Sequence, residues 1–162
     1  DDGDRAVNPD ASEQCDGVDD NCDGLIDDGD VCPCPVVAYG DRAFAFCTAS
    51  DIGFPLTWGL AQQACEGAGY DLARIDSEDE NDFVAQTAQT YASGTWWIGA
   101  NDRQNEGRFR WADNRPLTYS NWDPGEPNNA GAGEDCTELR PSGGWNDMAC
   151  FTTRPFVCAT PR

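Results

Sequence analysis

The stretch that decides the fold is Trp122–Cys150, which reads WDPGEPNNAGAGEDCTELRPSGGWNDMAC. It contains the motifs Glu126-Pro127-Asn128, Glu134-Asp135-Cys136 and Trp145-Asn146-Asp147, separated by turn-forming Gly, Pro and Asn and without a Lys. Two carboxylates about 4 Å apart repel each other by roughly 4 kcal/mol at an effective dielectric constant near 20. A cation among them removes that repulsion. The stretch therefore predicts a calcium site that also holds a ligand.

The composition favours a globular protein that collects divalent cations. The 162 residues suit one good-sized domain, or one domain with a small appendage, and six Trp and seven Phe can fill a core. The net charge of −20 argues against nucleic acid or an anionic membrane as a partner, because phosphate recognition needs Lys and Arg on one face. The absence of His disfavours zinc chemistry and the usual general base.

Nine cysteines at irregular spacing predict disulfides and a secreted, extracellular or cell-surface location. A thiolate zinc site would need repeated Cys-x-x-Cys pairs, and the sequence has none. No apolar stretch is long enough to predict insertion into a membrane. The chain opens on Asp1-Asp2-Gly3-Asp4, so we expect a processed piece of a larger secreted protein.

The composition changes near Cys32, which divides the chain into an acidic segment, 1–33, and a domain, 34–162. Residues 1–31 hold no aromatic side chain and are crowded with Asp, Gly and Asn. Such a segment cannot bury enough apolar surface to order itself. Disulfides or metal must hold it, or it stays mobile.

Within this segment, Asp19–Asp30 follows the spacing of an EF-hand calcium loop, with Gly24 at the sharp turn. Asp30 stands where Glu is usual and reaches less far, so the site is expected to be weaker or reshaped. The alternative is a solvated acidic linker. The predicted ligands of this loop are Asp19, Asn21, Asp23, the Leu25 carbonyl, Asp27 and Asp30. Whether Asp2, Asp4 and Glu13 form a further site is left open.

The segment resembles the Cys-Asp-Gly calcium repeats of secreted bacterial proteins and, more loosely, the thrombospondin type 3 repeat. Such repeats often begin with a Cys just upstream of the first residue here, which would explain the odd number of cysteines. The matching residues are Asn8-Pro9, Glu13, Cys15-Asp16-Gly17, Asp19, Asn21-Cys22-Asp23-Gly24 and Asp27.

From Cys34 onward the pattern is that of a packed domain with hairpin, helix and strand signals. Residues 36–48 predict a hairpin around Gly40-Asp41. Thr57 can cap a helix through about Glu66, with Trp58, Ala61 and Cys65 on one face. Ser77–Glu80 is a capping box that opens a second helix, with Phe83, Val84 and Thr87 facing inward. The predicted strands are Trp96–Gly99, Arg108–Trp111, a short one around Cys136 and Phe156–Cys158.

These pieces together resemble the C-type lectin-like domain from about Cys34 to Arg162. The resemblance implies an α+β fold with two helices, two small antiparallel sheets and a long calcium-binding loop. The matching features are the Cys65 helix, Trp97–Asn101, Glu126-Pro127-Asn128, Glu134-Asp135-Cys136, Trp145-Asn146-Asp147, Cys150 and Cys158.

The same resemblance implies the disulfides Cys65–Cys158 and Cys136–Cys150, with Cys34–Cys47 closing the extra hairpin of the family's long form. Each typically contributes about 2 to 4 kcal/mol. Cys15, Cys22 and Cys32 remain for the acidic segment. Their pairing stays open, and Cys32 could compete with Cys34.

The resemblance also implies two calcium sites in the loop. In the family, two neighbouring sugar hydroxyls bind the principal calcium, and the order Glu-Pro-Asn matches members that prefer mannose, fucose or N-acetylglucosamine over galactose. Pro127 is expected to follow a cis peptide bond, and Trp145 to be core rather than a sugar platform. The principal ligands would be Glu126, Asn128, Glu134, Asn146 and Asp147. The auxiliary ligands would be Asp102, Glu106, Asn129, Glu134 and Asp135.

These features predict a lectin that binds glycans with two to three calcium ions and has no catalytic activity. Asp102 and Glu106 could instead be ordinary loop carboxylates. The domain could also be a calcium-rigidified adhesion module that binds a protein and no sugar. An enzyme is disfavoured, because calcium-bound carboxylates are poor proton donors and a His-based arrangement is impossible. A single sugar site should be weak, so homo-oligomers or tandem modules are expected to add avidity.

Overall fold

The computed structural model describes residues 7–29, 31–131 and 133–161, which form an α+β fold. The elements are β1 Val36–Tyr39, β2 Arg42–Cys47, α1 Ala49–Ile52, β3 Leu56–Thr57, α2 Trp58–Gly67, β4 Asp71–Leu72, α3 Glu78–Tyr91, β5 Trp96–Asn101, β6 Cys136–Leu139, β7 Trp145–Met148, β8 Thr153–Arg154 and β9 Phe156–Ala159. The predicted fold class and both long helices are confirmed, and α1 is a short addition.

The larger sheet has the order β1-β2-β9-β5-β6-β7, and β4 also pairs with β9. The contact between β5 and β9 is parallel, whereas the other pairings in this sheet are antiparallel. The second sheet contains only β3 and β8. The predicted hairpin is confirmed as β1 and β2, which turn through Gly40 at a φ of 62°.

Strand β5 lies between the two halves of the core. Trp96 and Ile98 pack in one cluster of buried side chains, and Trp97 packs in the other, because successive side chains of a strand point to opposite faces. The apolar run at 96–100 is therefore buried on both faces. A Cβ at Gly99 would lie 2.3 Å from the Leu72 carbonyl oxygen, so only glycine allows β4 to pass this close.

Helix α3 turns the predicted Phe83 and Val84 toward the core. Val84 is fully buried, and Phe83 is half-buried, packs against the buried cluster and stacks on Tyr39. Thr87 is half-buried, and the helix also buries polar side chains that were not predicted to face inward. The Ser77 hydroxyl accepts from the Glu80 N–H at 3.2 Å, as a capping box requires. The Glu80 carboxylate, however, pairs with Arg42 at 2.7 Å and accepts from the Asp76 N–H at 2.6 Å. The Glu80 side chain is thus used for a tertiary ion pair with Arg42 rather than for the second hydrogen bond of a capping box, which would run back to the Ser77 N–H. The buried residues of α3 are Glu80, Asn81, Val84, Ala85 and Ala88.

The predicted strand at Arg108–Trp111 is wrong. Only Arg110 makes β-bridges there, to Asn101 and to Pro116. The reason is a tight turn: the Trp111 N–H donates to the Arg115 carbonyl at 2.9 Å, and the Asn114 N–H donates to the Trp111 carbonyl at 2.8 Å. The chain reverses before a second strand residue can pair.

The structure contains the disulfides Cys34–Cys47, Cys65–Cys158 and Cys136–Cys150, and also Cys15–Cys32. Cys32 therefore pairs within the acidic segment and does not compete for Cys34. Cys22 is an exposed thiol. The predicted α2 begins after Thr57, although the Thr57 side chain makes no capping hydrogen bond.

The acidic segment lies against the domain. Asp27 is 2% exposed, and its carboxylate accepts from the Gly17 N–H at 3.0 Å and from the Tyr70 hydroxyl. A Cβ at Gly69 would lie 1.9 Å from the Asp16 carbonyl oxygen, so the two backbones are in direct contact. The boundary between 33 and 34 stays a prediction, and the segment packs across it. Among the described residues, no helix has the length and apolar character needed to cross a membrane.

The buried ion pair yields a stability prediction. We expect Glu80→Gln to lower the free energy of unfolding by about 3 kcal/mol, because it leaves the buried Arg42 guanidinium without its counter-charge. Urea titration followed by tryptophan fluorescence measures the change. Glu78→Gln, at an exposed position of the same helical turn, is the matched control and should cost less than about 1 kcal/mol. Equal losses in the two variants would contradict the assigned role.

Candidate calcium and ligand site

Strand β7 supplies two of the predicted ligands at the edge of the large sheet. Asn146 faces Glu138 of β6 in the strand register, and Asp147 faces Thr137. Asn146 is 5% exposed and Asp147 is 1% exposed, which is unusual burial for such polar side chains. The strand places an amide and a carboxylate at fixed positions below the loop.

Trp145 anchors this strand in the core, as predicted. Its side chain is fully buried, and its indole N–H donates to the Asn81 side-chain oxygen at 2.8 Å. Trp111 and Trp122 pack edge-on against it, each with ring centroids 5.7 Å away. Trp145 therefore supports the site from below and cannot act as an exposed sugar platform.

The Asp147 carboxylate attaches the loop to the sheet. Its Oδ1 accepts from the Asn128 N–H at 3.0 Å, and its Oδ2 accepts from the Asn129 N–H at 2.6 Å. The Glu126–Pro127 peptide bond between these loop residues is cis, as predicted. The geometry brings Glu126, Asn128 and Asp147 together.

Glu126 and Asn128 lie side by side on this loop. The Asn128 side-chain N–H donates to Glu126 Oε2. Burial raises the pKa of Glu126 and the charge of Asp147 raises it further, while Arg140 lowers it. Arg140 Nη2 lies 3.6 Å from Glu126 Oε1, and Arg140 Nη1 lies 2.7 Å from Asp123 Oδ2. Sequence reasoning missed Arg140, although it is the single cation of the stretch.

The tip of the loop is held by the oxygen atoms of two further predicted ligands. Glu134 Oε2 accepts from the Ala130 N–H at 2.8 Å. Asn129 Oδ1 accepts from the Gly133 N–H at 2.7 Å and from the Glu134 N–H at 3.1 Å. Oxygens suited to calcium therefore accept hydrogen bonds from the loop's own backbone.

Glu138 of β6 and Arg154 of β8 together support the side chain of Asn146. The Asn146 side-chain N–H donates to Glu138 Oε1 at 3.1 Å, and Arg154 Nε donates to Glu138 Oε2 at 3.0 Å. Glu138 is 3% exposed. Sequence reasoning missed both residues. The available signal was Glu138 itself, the one charged side chain in the four-residue strand Cys136–Leu139.

The carboxylate of Asp102, a predicted auxiliary calcium ligand, is buried. It is 4% exposed, its Oδ2 accepts from the Gly107 N–H at 2.7 Å, and its buried Oδ1 has no hydrogen-bond partner among the described residues. Burial raises the pKa of Asp102, and the charges of Glu106 and Asp135 raise it further. The Asp102 N–H also donates to the Asp135 carbonyl at 3.0 Å. A buried carboxylate oxygen without a partner is costly, and calcium, which takes oxygen ligands, would satisfy it.

The predicted calcium ligands of the loop, all of which the structure describes, do not form a tight cluster of carboxylates. Within the described ranges, three or more His, Cys, Asp or Glu ligand atoms lie within 4.8 Å of one another only at Cys15, Asp27 and Cys32. The two cysteines form a disulfide and offer no thiolate. No three carboxylates of the described loop lie within 4.8 Å of one another. Backbone N–H groups of the loop donate hydrogen bonds to the Asp147 and Glu134 oxygens.

The N-terminal loop is built from consecutive side-chain turns. Asp19 Oδ2 accepts from the Gly24 N–H, Asn21 Oδ1 accepts from the Asp23 N–H, and Asp23 Oδ1 accepts from the Leu25 N–H, each at 2.9 Å. These are the predicted ligand side chains of its first half.

The second half of that loop faces the domain. Burial raises the pKa of Tyr70, and the hydrogen bond that its hydroxyl donates to the Asp27 carboxylate raises it further. Glu13 Oε1 accepts from the Asn21 N–H at 2.8 Å, and Glu13 Oε2 accepts from the Asp27 N–H at 3.0 Å. Asp2, Asp4 and Asp30 lie outside the described residues. The calcium assignment of this loop stays a prediction.

Two family models match the chain. The model described as "Lectin C-type domain" matches residues 54–160, and the model described as "Putative metal-binding motif" matches residues 1–28.

Similar proteins extend these matches. The mouse low affinity immunoglobulin epsilon Fc receptor is 40% identical over 120 residues, which cover 74% of this chain and 34% of that protein. Bovine collectin-11 is 46% identical over 99 residues, which cover 60% of this chain and 37% of that protein. The chain thus spans about a third of the length of these curated relatives.

Among solved structures, the cow C-type carbohydrate-recognition domain of CD23, in the presence of a GlcNAc2Man3 oligosaccharide, aligns with a TM-score of 0.70 at 37% identity. The alignment covers 80% of this chain and 96% of that domain.

The buried oxygen of Asp102 yields a test by mutation. Because its raised pKa shows that folding disfavours the charged form, the calcium-free fold loses stability as pH rises through that pKa. At pH 7 in chelator, we expect Asp102→Asn to be no less stable than the wild type. In calcium, we expect its gain in melting temperature to be smaller than that of the wild type, because binding to the folded state alone stabilises it.

Thermal melts with and without calcium measure both effects. Asp82→Asn, an exposed change of the same charge on α3, is the control and should keep the full calcium response. If Asp102→Asn also kept the full calcium response, Asp102 would not be a ligand.

Proposed function

Because the chain belongs to the C-type lectin domain family, we propose that it is a calcium-dependent lectin that recognises mannose-, fucose- or N-acetylglucosamine-type sugars. The observation that carries the proposal is the set of oxygen-bearing side chains on one loop and one adjoining strand. Calcium takes six to eight oxygen ligands, and the proposed principal ligands are Glu126, Asn128, Glu134, Asn146 and Asp147. Calcium, when bound, supplies coordination positions for two neighbouring sugar hydroxyls.

The protein's own side chains would select those hydroxyls by hydrogen bonding. The Glu126 carboxylate can only accept a hydrogen bond, and the Asn128 amide can donate one. The two groups already lie in contact, so one hydroxyl can donate to Glu126 while accepting from Asn128. Asp147 fixes the position of Asn128 through the backbone. Glu138, which itself accepts from Arg154, fixes the side chain of Asn146.

We further propose an auxiliary calcium on Asp102, Glu106, Asn129, Glu134 and Asp135. The unpartnered Asp102 oxygen supports it. A third ion in the N-terminal loop is supported by the match to the metal-binding motif at residues 1–28 and by the ligand spacing there. The number of ions is therefore proposed as two to three.

The location and assembly follow from the same chemistry. Four disulfides favour an extracellular or cell-surface protein. A sugar held through two hydroxyls binds weakly, so oligomers or tandem modules would raise the avidity. No step of this function requires a proton donor, so we propose binding without catalysis.

A second candidate is a calcium-rigidified adhesion domain with a protein ligand. One observation favours it: a relative at 40% identity is named a receptor for an immunoglobulin. On this alternative, calcium would order the loop and the sugar preference would be irrelevant.

Sugar specificity separates the two candidates. We expect the wild type to bind methyl α-mannoside in calcium and to lose that binding in excess chelator. The variant Glu126→Gln/Asn128→Asp should shift the preference toward galactose, because it reverses the order of the acidic and amide groups beside the ion. Isothermal titration calorimetry with both sugars measures the change.

The matched control is Glu78→Gln/Asn114→Asp, which makes the same chemical changes at exposed positions outside the loop. It should keep the wild-type preference. Mannoside binding that persists in chelator, or a Glu126/Asn128 variant without any change in preference, would reject the lectin proposal.

A further inference from the structure

Three arginines depart from the pairing seen in the rest of the described chain. The ten basic residues are all Arg, and the chain carries a net charge of −20. Five arginines form ion pairs: Arg42, Arg74, Arg115, Arg140 and Arg154. In contrast, Arg103, Arg108 and Arg110 form no ion pair with any carboxylate of the described ranges, although acidic side chains outnumber basic ones threefold.

These three arginines line one cavity of about 400 Å³ beside α2 and the turn-rich segment 101–114. Pockets for small ligands typically measure roughly 300 to 1,000 Å³, so a single sugar ring fits. Apart from Ala112, the remaining lining is polar or aromatic, and it includes Trp58, Gln62, Asp102, Trp111 and Asp135.

Two of the arginines are already held in place. The Arg103 guanidinium carbon lies 5.2 Å from the ring centroid of Trp58, and Arg110 Nη1 donates to the Asn114 carbonyl at 3.1 Å. Both keep further N–H donors, because a guanidinium carries five. Preorganised donors lose less conformational entropy when a ligand binds.

A buried donor without a partner lies in the same wall. Trp111 is 1% exposed, and its indole N–H has no hydrogen-bond partner among the described residues. A buried donor is normally satisfied, and Trp111 lines the cavity. The nitrogen itself is buried, so its N–H signal can report a ligand in the adjoining cavity without direct contact.

The local charge of the cavity favours an anion. Its lining contains three arginines against the two carboxylates Asp102 and Asp135, and Glu106 acts on Asp102 from beside the lining. The auxiliary calcium proposed on these three carboxylates would neutralise them, and the arginines would then set the charge of the cavity. More distant acidic side chains act weakly, because the screening length is about 8 Å at physiological ionic strength. Guanidinium groups match the paired oxygens of sulfate and carboxylate. A cationic ligand would instead meet three like charges.

We propose that this cavity binds a sugar-sized ligand that carries an oxyanion, either a sulfate ester or a carboxylate. It is a second binding site, since the principal ligands Glu126, Asn128, Glu134, Asn146 and Asp147 do not line it. It adjoins the proposed auxiliary calcium through Asp102 and Asp135. The calcium-held sugar and the anionic ligand are therefore separate binding events.

The test uses the full chain in calcium, with saturating methyl α-mannoside to fill the principal site. The probes are N-acetylglucosamine 6-sulfate, glucuronic acid, neutral N-acetylglucosamine and inorganic sulfate. The side-chain indole N–H signals of the tryptophans are followed by NMR, and the Trp111 signal is assigned with Trp111→Phe. We expect at least one charged sugar to move that signal saturably, and the neutral sugar to leave it unchanged. If inorganic sulfate by itself also moves the Trp111 signal, the site recognises the oxyanion. If only a charged sugar moves it, the site recognises the oxyanion and the sugar ring together.

Matched charge changes complete the experiment. Arg108→Gln and, separately, Arg103→Gln should weaken charged-sugar binding at least tenfold. Arg115→Gln removes the same charge from a neighbouring exposed arginine that does not line the cavity, and should change binding less than twofold. Equal affinity in Arg108→Gln, Arg103→Gln and the wild type would overturn the proposal, as would an equal loss in Arg115→Gln or an equal response to the neutral sugar. A failure of mannoside binding would reject only the proposed principal site.

Discussion

The buried carboxylate of Asp147 is the group on which the irregular half of the molecule depends. At 1% exposure it needs partners, and it accepts hydrogen bonds from the Asn128 and Asn129 backbones. Those bonds join a long loop without regular structure to the edge strand β7. On the proposed ligand assignment calcium would also bind Asp147, so one residue would serve both folding and binding.

A rigid frame makes such a loop possible. Strand β9 pairs with β2, β4 and β5, and its Cys158 is bonded to Cys65 of α2. Cys136 and Cys150 join β6 to the turn after β7 and close the β6–β7 hairpin. Binding residues commonly lie on loops that a rigid scaffold positions. The acidic segment also packs on this frame. The Asp27 bond to Tyr70 and the Asp16–Gly69 backbone contact hold it against the domain.

The hairpin at Gly40 and the two long helices could be predicted because local spacing encodes them. The core position of Trp145, the cis bond before Pro127 and the ligand set of the candidate site were instead implied by the resemblance to the C-type lectin-like domain. The burial of Glu80 on α3 could not be predicted, since the Arg42–Glu80 pair joins residues 38 apart and buries charges that local patterns place outside. The strand expected at Arg108–Trp111 failed because an immediate turn through Asn114 takes its hydrogen bonds. Glu138 escaped notice because only the strand register brings it to Asn146, and Arg154 escaped notice because it contacts Glu138 from 16 positions away.

Under the lectin proposal, one calcium on the loop holds the sugar directly. A crystal structure of the chain with calcium and methyl α-mannoside is the sharpest test. We expect one ion bound by Glu126, Asn128, Glu134, Asn146 and Asp147, with two neighbouring sugar hydroxyls completing its coordination. Sugar bound away from the ion, or an ion-free loop beside bound sugar, would contradict the account.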